Sequence, residues 1–159
     1  MPPQLRIGVV DQSPVPNGSN AHDALTATLD LARLCDRLGY HRYWLAEHHS
    51  TNSFAGSAPE VLVPRVASVT DRIRVGPGGV MLTHYSPYKV AEQFRLLETL
   101  FPGRIDLAVG RAPGGTGGAA AALRWGRAPI PVDEFPRQLD DLVGWVGERF
   151  DDDHPWRRV

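Results

Sequence analysis

Residues able to bind a ligand or move a proton stand directly after each of four apolar runs. Asp11-Gln12 follow the first, Glu47-His48-His49 the second, Gly78-Gly79 with His84 further on the third, and Gly110-Arg111 the fourth. Histidine titrates near neutrality, so His48 and His49 suit acid/base or hydrogen-bonding work in a ligand pocket. Histidine and carboxylate also ligate metals. Adjacent residues at a strand end point opposite ways, however, and no further His or Cys stands at helical ligand spacing, so no metal site is expected. The competing reading is a pair of structural or solvent-facing histidines. Gly76-Pro77-Gly78-Gly79 lacks the glycine spacing at a helix start that a dinucleotide-binding turn requires. It fits either a tight turn or bare backbone that a flat ligand approaches closely. Arg111 offers a bidentate donor to a phosphate, or one half of a salt bridge. Gly114 to Gly118 is followed by no lysine, as a phosphate loop demands, and reads as a connector.

The elements that must position these residues alternate. Leu5, Ile7 and Val9-Val10 predict a buried strand stopped by a Pro-rich loop. Asn20 caps a helix with Asp23 three residues on, Ala24, Ala27, Leu31, Leu34 and Leu38 form its core-facing stripe, and Gly39 ends it. Tyr43-Trp44-Leu45-Ala46 has strand character, and the loop from Glu47 to Gly56 is long for a βα connection. Ser57 and Glu60 have capping-box spacing for a helix carrying Val61, Leu62, Val66 and Val69, which Pro64 should kink or split. Ile73 and Val75 open the third unit. Ser86 and Pro87 then begin a helix whose buried face is Val90, Phe94, Leu97 and Phe101. Ile105, Leu107 and Val109 mark a fourth strand. Residues 114 to 122, nearly all Gly and Ala, predict a flexible connection or a weak helix start. A last helix is expected between Asp133 and Phe150, on the face shared by Phe135, Leu139, Leu142, Val146 and Phe150. A polar, mobile tail from Asp151 to Val159 follows a domain spanning 1–150.

Strand and helix alternating four times predict an α/β fold with a parallel sheet of right-handed βαβ units. Either an open doubly wound sheet or part of a closed barrel satisfies that pattern. In both, ligands bind beyond the carboxyl ends of the strands, where the candidate residues stand. A complete eight-unit barrel needs about 250 residues; at 159 residues the chain supplies about half of one. The balance of 17 basic and 18 acidic residues gives no electrostatic reason to expect nucleic acid or an anionic membrane as partner. Cys35, the lone cysteine, falls in an amphipathic segment and reads as a small core residue. No apolar run approaches a membrane span, and Met1-Pro2-Pro3-Gln4 lacks signal-peptide character, so a cytoplasmic setting is expected.

Taken together, these residues resemble the bacterial luciferase-like family of flavin-dependent monooxygenases. The matching segments include Asp11-Gln12-Ser13-Pro14, Leu38-Gly39-Tyr40, Trp44-Leu45-Ala46-Glu47-His48-His49 and Gly56-Ser57-Ala58-Pro59-Glu60. Further on come Arg72-Ile73-Arg74-Val75-Gly76, Tyr85-Ser86-Pro87, Val90-Ala91-Glu92-Gln93, Pro102-Gly103-Arg104-Ile105-Asp106 and Gly110-Arg111-Ala112-Pro113-Gly114. They cover most of residues 5 to 125 in collinear order. The resemblance implies a (β/α)8 barrel with its first four units present, and reduced FMN as cofactor, with the deazaflavin F420 the second choice. It implies a small-molecule substrate, a flavin reductase as supplier and a possible homodimer. His48 would stand beside the flavin as an acid/base or stabilising group. Gly78-Gly79 would match a non-proline cis peptide under the ring, Gly110 would border the pocket, and Arg111 would reach toward the flavin phosphate. Later strands supply further phosphate contacts in the family, so a chain ending here would be incomplete for catalysis. A non-catalytic half-barrel that pairs with itself or a partner chain is the alternative.

Overall fold

The computed structural model describes residues 5–158; Met1 to Gln4, on which the signal-peptide expectation rests, and Val159 lie outside the described residues. Three parallel strands form one sheet in the order β1 (Gly8–Asp11), β2 (Arg42–Leu45) and β3 (Arg74–Pro77). Asp11 pairs with Leu45, and Leu45 with Pro77, so the three carboxyl ends are level. Beyond them, β4 (Val80–Met81) runs parallel to β5 (Val109–Gly110). A parallel bridge between Val75 and Ile105, and the Val80 N–H donating to Ala108 O at 2.9 Å, extend that ladder in both directions. Residues 104–110 are therefore one extended segment beside both β3 and β4, which are two halves of a strand interrupted at Gly78-Gly79. That peptide is cis. A Cβ on Gly78 would lie 2.9 Å from Trp44 Cβ, and one on Gly79 2.8 Å from the Ala108 carbonyl, so neither position has room for a side chain.

Helices α1 (Ala21–Arg37), α2 (Pro59–Ala67), α3 (Pro87–Leu100) and α5 (Phe135–Gly147) cover one side of these strands, with the short α4 (Gly117–Leu123) between the last two. Tyr43, Leu45, Val75, Val63, Val66 and Val90 lie at the centre of the core. Burying such side chains contributes roughly 1.5–3 kcal/mol each. Cys35 is buried among them, and burial first, with the Asp11 charge second, pushes its thiol above the ordinary range.

Several expectations are corrected here. Leu5, Ile7 and Val10 are 82%, 48% and 62% exposed, so β1 is an edge strand rather than a buried one. The core stripe of α1 is Ala24, Thr28, Ala32 and Cys35, not the leucines; Leu31, Leu34 and Leu38 are exposed. The helix turns this way because Thr28 and Asp36 are needed inside, Thr28 donating to Ser13 Oγ at 2.9 Å. Asp36 accepts the backbone N–H groups of Asp71, Arg72 and Ile73, at 2.8, 3.1 and 2.8 Å. The Ser57–Glu60 capping box does not form: Ala58 is the N-cap, with no side-chain bond, and Pro59 opens α2. Pro64 neither splits nor ends that helix; its interior place deprives only one carbonyl of a donor. The helix ends at Ala67, before Val69, and Val61 faces outward. Of the two expectations for residues 114–122, the helix start is the one found: α4 begins at Gly117, capped by Thr116. On α5 Val146 is 45% exposed, while Leu142 is buried. The tail packs back: His154 stacks on Phe150 at 4.3 Å, and Trp156 lies 6.5 Å from Trp145.

Polar clusters are segregated by strand end. At the amino ends, the Asp106 carboxylate binds Arg42 Nε at 2.9 Å and Arg74 Nη2 at 2.7 Å. Arg104 donates to Ile73 O and to both oxygens of Thr70. These groups lock the strands together at the face away from the histidines. In parallel α/β folds that end serves stability and the other serves chemistry.

Candidate functional site

At the carboxyl ends, β2 delivers Ala46-Glu47-His48-His49 into a long loop. That loop is tied to the one after β1: the Val15 N–H donates to Ser53 O and the Ala55 N–H to Ser13 O, at 2.8 and 2.9 Å. An antiparallel bridge joins Pro14 and Phe54. Asp11 is spent on this scaffold. Its carboxylate accepts the Ser13 N–H at 2.7 Å and the Tyr43 hydroxyl at 2.6 Å. Burial first, and the Asp11 bond second, push the Tyr43 phenol far above its ordinary range, so it stays protonated as a donor. Gln12 is exposed.

Glu47 is the hub of the site. Its side chain is fully buried. Oε1 lies 2.7 Å from His49 Nε2 and accepts the Tyr85 hydroxyl at 2.7 Å; Oε2 accepts the Met81 N–H at 2.9 Å. Burial, and then the bond to Glu47, raise the Tyr85 phenol, which likewise stays protonated. Met81 belongs to β4, and Tyr85 ends the 3-10 turn that leads into α3. One carboxylate thus joins the second strand end to the third.

The two histidines diverge, as neighbours on an extended segment must. His48 is half-buried, stacks on Phe54 at 4.6 Å, and its N–H donates to Gly56 O at 2.9 Å. It lines a cleft with Ser50, Asn52 and Ser57. His49 turns inward. Its N–H donates to Gly114 O at 2.8 Å, and its ring stands edge-on to His84 at 6.3 Å. His84 Nε2 meets Pro113 O at 2.9 Å. The 113–115 loop therefore sits directly on His49; a Cβ on Gly115 would approach His49 O to 2.5 Å. Gly110 lies under this loop, its Cβ position 3.3 Å from Met81 Sδ, and the Arg111 side chain is exposed. Among the described residues, no three His, Cys, Asp or Glu gather in a way that could hold a metal ion.

The strand ends thus bring Gly78-Gly79, Gly110 and the 111–115 loop together around Glu47 and His49. His48 stands on the opposite side of its segment. The sequence assigned no site role to Tyr85 or Met81 and did not pair Glu47 with His49. One signal was available: residues two apart on an extended segment share a face, which pairs Glu47 with His49 rather than with His48.

The same chain has recognisable relatives. The sequence profile of luciferase-like monooxygenases matches residues 5–155. An N-acetyl-S-alkylcysteine monooxygenase of Bacillus subtilis is 49% identical over 150 residues, which are 94% of this chain and 45% of the relative. The crystal structure of apo-MsnO8 superposes with a TM-score of 0.88 at 44% identity, over 96% of this chain and 45% of that one. The FMN complex of the oxygenating constituent of 3,6-diketocamphane monooxygenase from Pseudomonas putida shares the fold, with a TM-score of 0.68 at 20% identity, over 90% of this chain and 37% of that one. The chain spans about 45% of the length of the curated relative it matches. Arrangement, profile and relatives agree: the chain belongs to the luciferase-like monooxygenase family.

Proposed function

We propose that the chain is the first half of a (β/α)8 barrel that uses reduced FMN and molecular oxygen to oxidise a small organic molecule. The observation that carries this reading is the convergence of Glu47 and His49, Gly78-Gly79 and the 110–115 loop at the carboxyl ends of neighbouring parallel strands, with His48 on the other side of the same segment. A flat ring system needs bare backbone at its face, and the glycines at 78, 79 and 110 carry no side chain where these ends meet. Arg111 brings an exposed guanidinium suited to a phosphate. The residues present fit a flavin mononucleotide on those two counts. His48 is the acid/base group, Gly78, Gly79 and Gly110 border the ring, and Arg111 holds the phosphate.

Reduced FMN, when bound, supplies the electrons with which oxygen is activated. The chain's own share is to orient that group, to exclude water beneath the 111–115 loop, and to hold a proton at an imidazole. FMN is preferred to F420 because the named relative is a monooxygenase. A flavin reductase in the cytoplasm would supply the reduced cofactor. The test joins residues 1–155 to the remaining strands of the Bacillus subtilis relative and adds FMN, a reductase and candidate substrates. Substrate-dependent oxygen uptake is expected; its absence in a folded, FMN-loaded protein contradicts the proposal.

A second reading, a non-catalytic half-barrel that pairs with itself or a partner chain, is favoured by one observation. Val10 on the edge strand and Leu31, Leu34 and Leu38 on α1 are all exposed. Sedimentation of the chain distinguishes it: a cooperatively folded monomer contradicts self-pairing.

A further inference from the structure

The Glu47–His49 pair is built more firmly than anything around His48. Glu47 lies between two donors and the His49 ring, and an ionised carboxylate only accepts. The Met81 N–H is a donor without choice, and the Tyr85 phenol stays protonated. Accepting from His49 as well leaves the imidazole with its proton on Nε2, 2.7 Å from Glu47 Oε1. The neutral ring then has a lone pair on Nδ1. The residue is held from the other side too, since the His49 backbone N–H donates to Gly114 O and its side chain is only 11% exposed. His48, by contrast, has an aromatic stacking partner and borders an open cleft.

We infer that Glu47 is a positioning residue that holds His49 as the Nε2–H tautomer, leaving Nδ1 as a second proton acceptor, distinct from His48, at the joined ends of the second, third and fourth strands. A proton taken from a bound O–H or N–H group goes to Nδ1, and the imidazolium so formed keeps its Nε2–H on Glu47, whose charge offsets it; the proton's return restores the neutral ring. The carboxylate also couples the histidine to the cofactor-facing backbone, because its other oxygen holds Met81, two residues beyond Gly79. The use of Nδ1 by a bound molecule rests on the flavin-dependent reading; the tautomer does not.

The test is long-range proton–nitrogen correlation NMR on the 159-residue chain with labelled histidine, at about pH 8, above the ordinary histidine range. One pattern is expected for His49, a protonated Nε2 and a bare Nδ1. Tyr85→Phe, which keeps the carboxylate, should retain it. Glu47→Gln, whose amide both donates and accepts, should lose it for a mixture of tautomers. A His49 protonated on Nδ1 in the unaltered chain overturns the inference, as does an unchanged pattern in Glu47→Gln. Should Glu47→Gln not fold, the unaltered chain and Tyr85→Phe still decide. Anaerobic titration with reduced FMN forms a separate arm. A saturable shift at His49 Nδ1 supports its use by a ligand. The Nε2–H pattern without any response to FMN upholds the role of Glu47 and counts against the flavin reading alone.

Discussion

Asp36 and Asp106 show what single carboxylates do at the stability end of this fold. Burial opposes ionisation of Asp36, but the backbone N–H groups of Asp71, Ile73 and Arg72, together with the Arg72 charge, outweigh it and hold the carboxyl below the usual range. Asp106 is likewise opposed by burial and held low by Arg74 and Arg42. A carboxylate whose folded value is depressed contributes stability that is fully present above its unfolded value, near about 3.9, and is lost as pH falls through the folded value. Asp36→Asn should therefore cost about 1–3 kcal/mol at neutral pH and flatten the acid side of the stability profile. Urea unfolding at a series of pH values checks both; an unchanged acid limb would show that Asp36 is not among the linked groups. At this scale the sequence was partly legible. Glu47, His48 and His49 stood out by type. Asp36 did not, and Tyr85 and Arg104 stood out only as members of matching segments, because their partners lie across the fold.

At the scale of elements, the third strand depends on glycine. A Cβ on Gly76 would come within 3 Å of the Asp106 backbone, so Gly76→Ala must push the third and fourth segments apart. We expect a loss of about 1–3 kcal/mol, the range of overpacked cores. Thermal unfolding measures it, and a variant as stable as the original contradicts the packing described here. Strand and helix order was readable from apolar periodicity, as was the Asn20 cap, whose Oδ1 accepts the Asp23 N–H at 3.1 Å. Rotation of α1 was not. Two stripes there share three- and four-residue spacing, and the choice fell to Thr28 and Asp36, polar residues with partners inside. The Ser57–Glu60 signal failed for a related reason: Pro59 suits the first turn of α2 and sets its start without a side-chain cap. The interruption at Gly78-Gly79 shows only as glycine content in the sequence; that the strand resumes at Val80 follows from its pairing with Val109.

For the molecule as a whole, the two strand ends divide the labour. Arginine and aspartate fasten the amino ends, and glutamate, histidine and glycine gather at the carboxyl ends. That division was visible in outline, since every apolar run is followed by polar or glycine residues. Which of them meet was not, because loop closure over His49 by residues 113–115 depends on long-range contacts. No helix among the described residues is long and apolar enough to cross a membrane. Val10 of β1 and Leu31, Leu34 and Leu38 of α1 leave an exposed apolar face, and the chain spans about 45% of its named relative. The central claim is that the carboxyl-end cluster faces a reduced flavin. Equilibrium dialysis of the chain against reduced FMN under anaerobic conditions tests it most directly. Saturable binding is predicted, with Arg111→Ala weakening it by about fivefold, roughly 1 kcal/mol for one exposed charged contact to phosphate. Absence of saturable binding, or binding that Arg111→Ala and His48→Ala both leave unchanged, would contradict it.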